Sequence, residues 1–386
     1  MNRITMTGLI GLFCVSLLQG GITNLSPAIA GISRALGRDP NTVAQIGTFP
    51  AIFAVLACLL IGQLAGRVLK YKTILIVSLL ISILGGSLPM FFPSWPVILF
   101  SRVCVGLGVG VFFTLPPSLI MKFFSGKKQR VNLGIATASG CIGGFLAMLV
   151  AGLLVDIKWV YTFGIYAFGI PAFILVCIGL PEPDSSVEHA AAKEKVKLPV
   201  PVILNFIMIF LAFTLWIPTQ LFISNIIIDR NMGSGVHAGI VAIMFNISAI
   251  TLTVLFAPLY RIFHKYLAAI ILFLCGCGIF LIYYADNLVT AGIGMFLIGS
   301  IMLLIPTLLS DNACYLAPKD ITFATSLLMI ALNLGIFAAG PFSSLASIIR
   351  SDRAFPGIFF AIFAMAFMCL CCLFIRIFQK NIPVRN

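Results

Sequence analysis

Charge is scarce in this chain. Lys, Arg, Asp and Glu make up 9% of its 386 residues, against about 25% in a soluble domain. Acidic residues number only 11, and the three histidines, His189, His237 and His264, fall in polar gaps or at their edges. A soluble core of this size is excluded by so little charge, and no His, Asp and Glu set lies inside an apolar block to hold a metal. No phosphate-cradling loop with Gly-Lys-Ser or Gly-Lys-Thr is present, which argues against an ATP-driven pump. Cysteine is not lacking, at 11 residues, but none is placed in a loop where a disulfide is expected. In Cys275/Cys277 and Cys369/Cys371/Cys372, neighbours one apart on a helix point in different directions, so they read as small packing residues rather than ligands. Neither a metal, a cofactor nor an enzymatic reaction is expected.

What fills the chain is apolar, 61% of it. A bilayer helix needs about 20 mostly apolar residues, and such runs recur. They predict twelve spans: 5–30, 43–66, 73–91, 96–121, 132–155, 159–180, 200–228, 236–260, 267–285, 289–315, 322–347 and 354–378. The runs are long and lack the period-two alternation of barrel strands, so the fold class is an all-α membrane protein. Met6–Leu18 followed by Ala28-Ile29-Ala30 also has the outline of a cleaved leader. The long polar stretch between them favours a retained first span.

Lys and Arg gather on one side of these spans. With the N-terminus inside, Arg3, Arg67, Lys70, Lys72, Lys122, Lys127, Lys128, Arg130 and the linker lysines all fall on that side, as do most cations of the second half. The bias predicts a multi-pass plasma (inner) membrane protein with both termini cytoplasmic. The net charge of +13 is then a topology signal, matched to anionic lipid headgroups rather than to nucleic acid.

The longest polar stretch, 181–199, divides the chain into an N-terminal six-helix half (1–180), a cytoplasmic linker and a C-terminal six-helix half (200–386). Features recur at nearly one offset. Arg67-Val-Leu-Lys70-Tyr71 after span two is echoed by Arg261-Ile-Phe-His264-Lys265-Tyr266 after span eight. Pro116 in span four is echoed by Pro306 in span ten, and Gly143-Gly144 in span five by Ala339-Gly340 in span eleven. Such order argues for duplication, a common way to build secondary transporters.

At these residues the chain resembles the major facilitator superfamily, in its twelve-span bacterial form. The loop Gly62-Gln-Leu-Ala-Gly66-Arg67-Val-Leu69-Lys70 keeps the glycine, arginine and basic positions of the family's loop motif but has Gly66 for its aspartate. Arg102-Val-Cys-Val-Gly106-Leu-Gly108 matches its span-four motif. Ser139-Gly140-Cys-Ile-Gly143-Gly144 matches its span-five antiporter motif without the proline. The resemblance implies two pseudo-symmetric six-helix halves that expose one central site alternately to each side of the membrane.

Only Arg102 and Asp311 bring formal charge well inside the predicted spans. A charge there is costly and marks a functional candidate. Arg102 either binds an anionic substrate or ties span four to carbonyls of span one near Gly20-Gly21 and Pro27. Asp311, near the inner end of span ten, is either a proton carrier or part of a cytoplasmic gate. The resemblance favours the gate, with Arg67, Lys70, Arg261 and Lys265 as its cationic side. Neutral polar residues mark the expected cavity: Gln19, Thr23 and Asn24 in span one, Thr114 in span four, Trp216 and Gln220 one turn apart in span seven, Asn246 in span eight and Asn333 in span eleven. Gly106, Gly108, Gly110, Gly140, Gly143 and Gly144 read as close-packing positions.

The expected function is secondary active or facilitative transport of a small organic solute, anionic or amphipathic, through a monomer in the lipid bilayer. Coupling to protons or another ion stays open, because no Asp, Glu or His lies at mid-depth. The 34 phenylalanines support the alternative of a multidrug exporter, and a non-transporting scaffold or receptor is the third reading.

Overall fold

The computed structural model describes residues 4–21, 25, 28–65, 68–124, 126–182, 199–263, 266–305, 307–308, 321–349, 366 and 369. The chain divides into two compact units, Met1–Glu194 with Ser234–Gly239, and Lys195–Gly233 with Ile240–Asn386. No strand occurs among the described residues.

The first unit contains α1 (Met6–Gly21), α2 (Ile29–Leu36), α3 (Pro40–Leu64), α4 (Tyr71–Phe91), α5 (Trp95–Phe123), α6 (Gly126–Ile157) and α7 (Gly169–Gly179). A tightened 3₁₀ segment, Trp159–Phe168, leads directly into α7. The expected first span, 5–30, is not one helix: Leu25, between α1 and α2, is not helical. Gly37, with φ of 60°, ends α2 in the left-handed conformation that glycine adopts without strain.

Later in the chain come α8 (Val200–Asp229), α9 (Gly235–Val254), α10 (Phe256–Phe263), α11 (Leu267–Tyr283), α12 (Leu288–Ile298) and α13 (Ile321–Ile349). A 3₁₀ turn, Gly299–Leu303, extends α12. The expected span 236–260 breaks after Val254 because Pro258 has no N–H to offer the Val254 carbonyl. Eight described helices are long and apolar enough to cross a membrane, and Met6–Gly21, Leu267–Tyr283 and Leu288–Leu303 are shorter apolar helices. Together they fall on expected spans one to eleven. The twelfth, 354–378, lies outside the described residues except for Ala366 and Cys369.

Packing within each unit follows one scheme. In the first, α1 lies along α6, and α5 lies against both α3 and α4. In the second, α8 lies along α13 and α11 against α12, while the turn at Gly299 meets the Phe245 carbonyl of α9. Small residues set these distances. A Cβ on Gly106 or Gly110 would strike the carbonyl oxygens of Pro50 or Ala54 on α3, so the pair forms a seam at which two backbones touch. Lipid chains are as apolar as leucine, and such close backbone contact is what associates helices in a membrane.

Side chains also close helix ends across the sequence. The Glu182 carboxylate accepts from the backbone N–H of Tyr71 at 2.6 Å and of Lys72 at 3.0 Å, capping α4, whose own N-cap side chain, Lys70, makes no cap bond. Asp156 of α6 accepts from the N–H of Gly235 at 3.0 Å and of Val236 at 3.2 Å, both residues of the first unit. Arg230, following α8, donates to the carbonyls of Tyr283 and Ala285, each at 2.7 Å, and so closes the end of α11. A cation there also meets the negative end of the helix dipole. Arg230→Gln should therefore cost about 1–3 kcal/mol. A lowered melting temperature in detergent checks it, and Arg230→Lys should recover only part of the loss.

Candidate functional site

Arg102 sits seven residues into α5 and is fully buried. Its Nη2 donates to Ser101 Oγ at 3.0 Å, and the Ser101 hydroxyl donates in turn to the Gly86 carbonyl at 3.2 Å. The guanidinium carbon lies 5.4 Å from the Phe163 ring centre and 5.3 Å from that of Tyr166. Both rings reach it because the segment from Trp159 is 3₁₀: residues three apart eclipse there, so Val160, Phe163 and Tyr166 stack on one buried line. A cation centred in a membrane helix costs about 2.5–3.5 kcal/mol on insertion scales, and each ring contact returns about 0.5–2 kcal/mol. The rings thus carry much of the cost of keeping this charge. Nε and Nη1 have no hydrogen-bond partner. The stretch of span one around Pro27, where the sequence placed a tether, lies outside the described residues. Among the described residues Arg102 meets Ser101, Phe163 and Tyr166, while Gly20 and Gly21 of α1 pack closely on Gly140 and Gly143 of α6.

A second cluster lies in the second unit. Trp216 of α8 stacks on Phe245 of α9, with ring centres 4.8 Å apart and 15° between planes, and meets Phe213 edge-on at 6.0 Å. Pro218 within α8 leaves the Thr214 carbonyl without its helical donor one turn earlier. Around this stack, Thr219, Gln220 and Asn246 are buried polar residues. The indole Nε1 of Trp216 and the hydroxyl of Thr219 are buried with no hydrogen-bond partner. Buried polar atoms almost always find partners, so two orphans beside one aromatic pair mark a place where polar contacts are held ready. Asn333 on α13 is buried as well, and its amide donates to the Met329 carbonyl at 2.9 Å. Its helix is held to α8 by Thr214, which donates to the Gly335 carbonyl at 3.2 Å.

The remaining sequence candidates divide. Gln19 is half-buried on α1, whereas Thr23 and Asn24 lie outside the described residues. Thr114 turns back on its own helix, donating to the carbonyls of Gly110 at 3.0 Å and Val111 at 3.2 Å. Of the gate residues, Lys70 and Arg261 are exposed at the start of α4 and in the last turn of α10, while Arg67, Lys265 and Asp311 lie outside the described residues. Phe163, Tyr166, Phe213 and Phe245 escaped the sequence reading. Phe213 and Trp216 do show helical i, i+3 spacing, and Phe245 adjoins the nominated Asn246.

Known proteins share this architecture. The Major Facilitator Superfamily profile matches residues 11–340. A "Probable sugar efflux transporter" of Haemophilus influenzae is 26% identical over 310 residues, covering 79% of this chain and 78% of that protein. The crystal structure of the nucleoside transporter NupG superimposes with a TM-score of 0.72 at 15% identity, over 97% of this chain and 100% of the other. A bacterial homologue of the human lysosomal transporter Spinster, solved inward-facing and occupied, gives a TM-score of 0.72 at 16% identity, over 97% of each chain. The profile match over most of the length, joined to two units of apolar helices packed on one repeated scheme, makes this chain a member of the Major Facilitator Superfamily and a multi-pass membrane transporter.

Proposed function

We propose that this transporter moves a small, neutral, polar solute of the sugar or nucleoside type. The observation that carries the reading is the Trp216–Phe245 stack with the orphaned Trp216 Nε1 and Thr219 hydroxyl beside it. An aromatic face takes the C–H face of a sugar ring or the plane of a base, and amides and hydroxyls exchange donors and acceptors with its hydroxyl groups. Gln220, Asn246 and Asn333 supply such groups without any formal charge. The anionic class that the sequence suggested depended on Arg102, and that guanidinium is enclosed by rings rather than open to a solute-sized molecule. The sugar efflux relatives and NupG fit the same class.

The chain is read as a monomer in the inner membrane with cytoplasmic termini and the alternating-access cycle of its family. No Asp, Glu or His lies mid-span among the described residues, so uniport or exchange is the simplest coupling.

The test is thermal unfolding of purified protein against sugars, nucleosides, polyols and organic acids, followed by uptake of the hits into proteoliposomes. A bound solute stabilises by mass action. Sugars or nucleosides should raise the melting temperature and be taken up, at a rate indifferent to a pH gradient. Stabilisation and uptake confined to organic acids would overturn the neutral reading.

A further inference from the structure

We infer that Arg102 anchors a buried binding site for a small monovalent inorganic anion, of halide size, within the first unit. This does not rest on the solute reading, which uses other residues in the other unit.

A guanidinium stays protonated at any pH the fold tolerates, so burial cannot neutralise it. Arg102 is fully buried, yet forms no ion pair among the described residues. The described carboxylates of this unit are engaged elsewhere: Asp39, exposed, accepts from the N–H of Thr42, Glu182 from those of Tyr71 and Lys72, and Asp156 from those of Gly235 and Val236. The guanidinium has five N–H groups. Nη2 gives one to Ser101, but Nε and Nη1 find no acceptor in the protein.

The rings of Phe163 and Tyr166 attract the cation through their π faces, and the Tyr166 hydroxyl adds a neutral acceptor, but Nε and Nη1 stay without one. An acceptor bearing negative charge is what this set lacks. Size follows from enclosure. Arg102 and its aromatic neighbours Phe163 and Tyr166 are all buried, which favours the smallest charged acceptor, and a desolvated halide is one atom.

The experiment is thermal unfolding of the full chain in detergent at constant ionic strength, with sodium gluconate replaced stepwise by chloride, bromide or formate. Chloride and bromide should each raise the melting temperature saturably, by about 2 °C or more, and Arg102→Met should lose the response. A wild-type protein indifferent to halide, or an Arg102→Met protein that keeps the rise, overturns the site. A response to formate alone overturns its halide identity. If Arg102→Met does not fold, bromide-soaked wild-type crystals decide: an anomalous peak in contact with Nε or Nη1 supports the site, and its absence there overturns it.

Discussion

A Gly143→Leu variant should yield almost no folded protein. Any Cβ at Gly143 would run into the carbonyl and Cα of Leu17 on α1, which are backbone atoms that cannot rotate away. Relief requires α1 and α6 to separate along the whole seam, since Gly20 meets Gly140 in the same way one turn along. Overpacking usually costs about 1–3 kcal/mol when side chains can adjust. Here they cannot, and no hydrophobic force drives the two helices back together in lipid. Gly143→Ala should lie between, folded but melting several degrees lower. Gly134→Ala, on the same helix with nothing within 4 Å of its Cβ position, should hold or raise the melting temperature, because a helix-interior glycine costs about 1 kcal/mol relative to alanine. Size-exclusion profiles and melting curves of the three variants check the series. Equal behaviour at Gly143 and Gly134 would remove the seam from the account.

Substitution of Trp216 should have the largest effect on transport. Trp216→Ala removes both the stack on Phe245 and the edge contact with Phe213. Truncating a buried tryptophan costs about 3–5 kcal/mol of stability, so its lost uptake, expected to exceed tenfold, mixes folding with binding. Trp216→Phe separates them. It keeps an aromatic face for Phe245 and removes the indole N–H that has no protein partner. A hydrogen bond is worth about 0.5–1.5 kcal/mol, so the KM for the transported solute should rise roughly two- to tenfold with little change in maximal rate. An unchanged KM in counterflow assays would show that the indole N–H does not meet the solute.

The span pattern was readable from composition because a bilayer leaves little latitude: long apolar runs must be helices, and charges must gather at their ends. Close-packing roles for Gly106, Gly110 and Gly143 were readable for a related reason, since few residues other than glycine let backbones touch. Breaks within spans were harder. The polar stretch ending in Pro27 was noted without a break in the span being drawn from it, and Pro258 reads equally as a kink or an end. Arg102 stood out as a charge, but its surroundings did not. Phe163 and Tyr166 converge on it through a 3₁₀ winding, and a 3.6-residue period assigns them to neighbouring rather than identical faces. Trp216 and Asn246 were found by polarity, whereas Phe245, the ring that gives Trp216 its partner, looked like any of the other phenylalanines.

That 3₁₀ winding also bears on membrane thickness. Ten residues, Trp159–Phe168, precede the eleven of α7. At about 2.0 Å per residue and then about 1.5 Å, the span is about 36 Å long, against about 31 Å if wound wholly as α-helix. The hydrocarbon core is about 30 Å. The sixth span therefore holds about 5 Å of length in reserve, which it can yield by rewinding instead of by tilting. Rewinding would turn Tyr166 by about 60° relative to Phe163 and take one ring off the guanidinium. Bilayer thickness and the ring contacts of the buried arginine would then change together, and transport in vesicles of shorter and longer lipid chains checks whether they do.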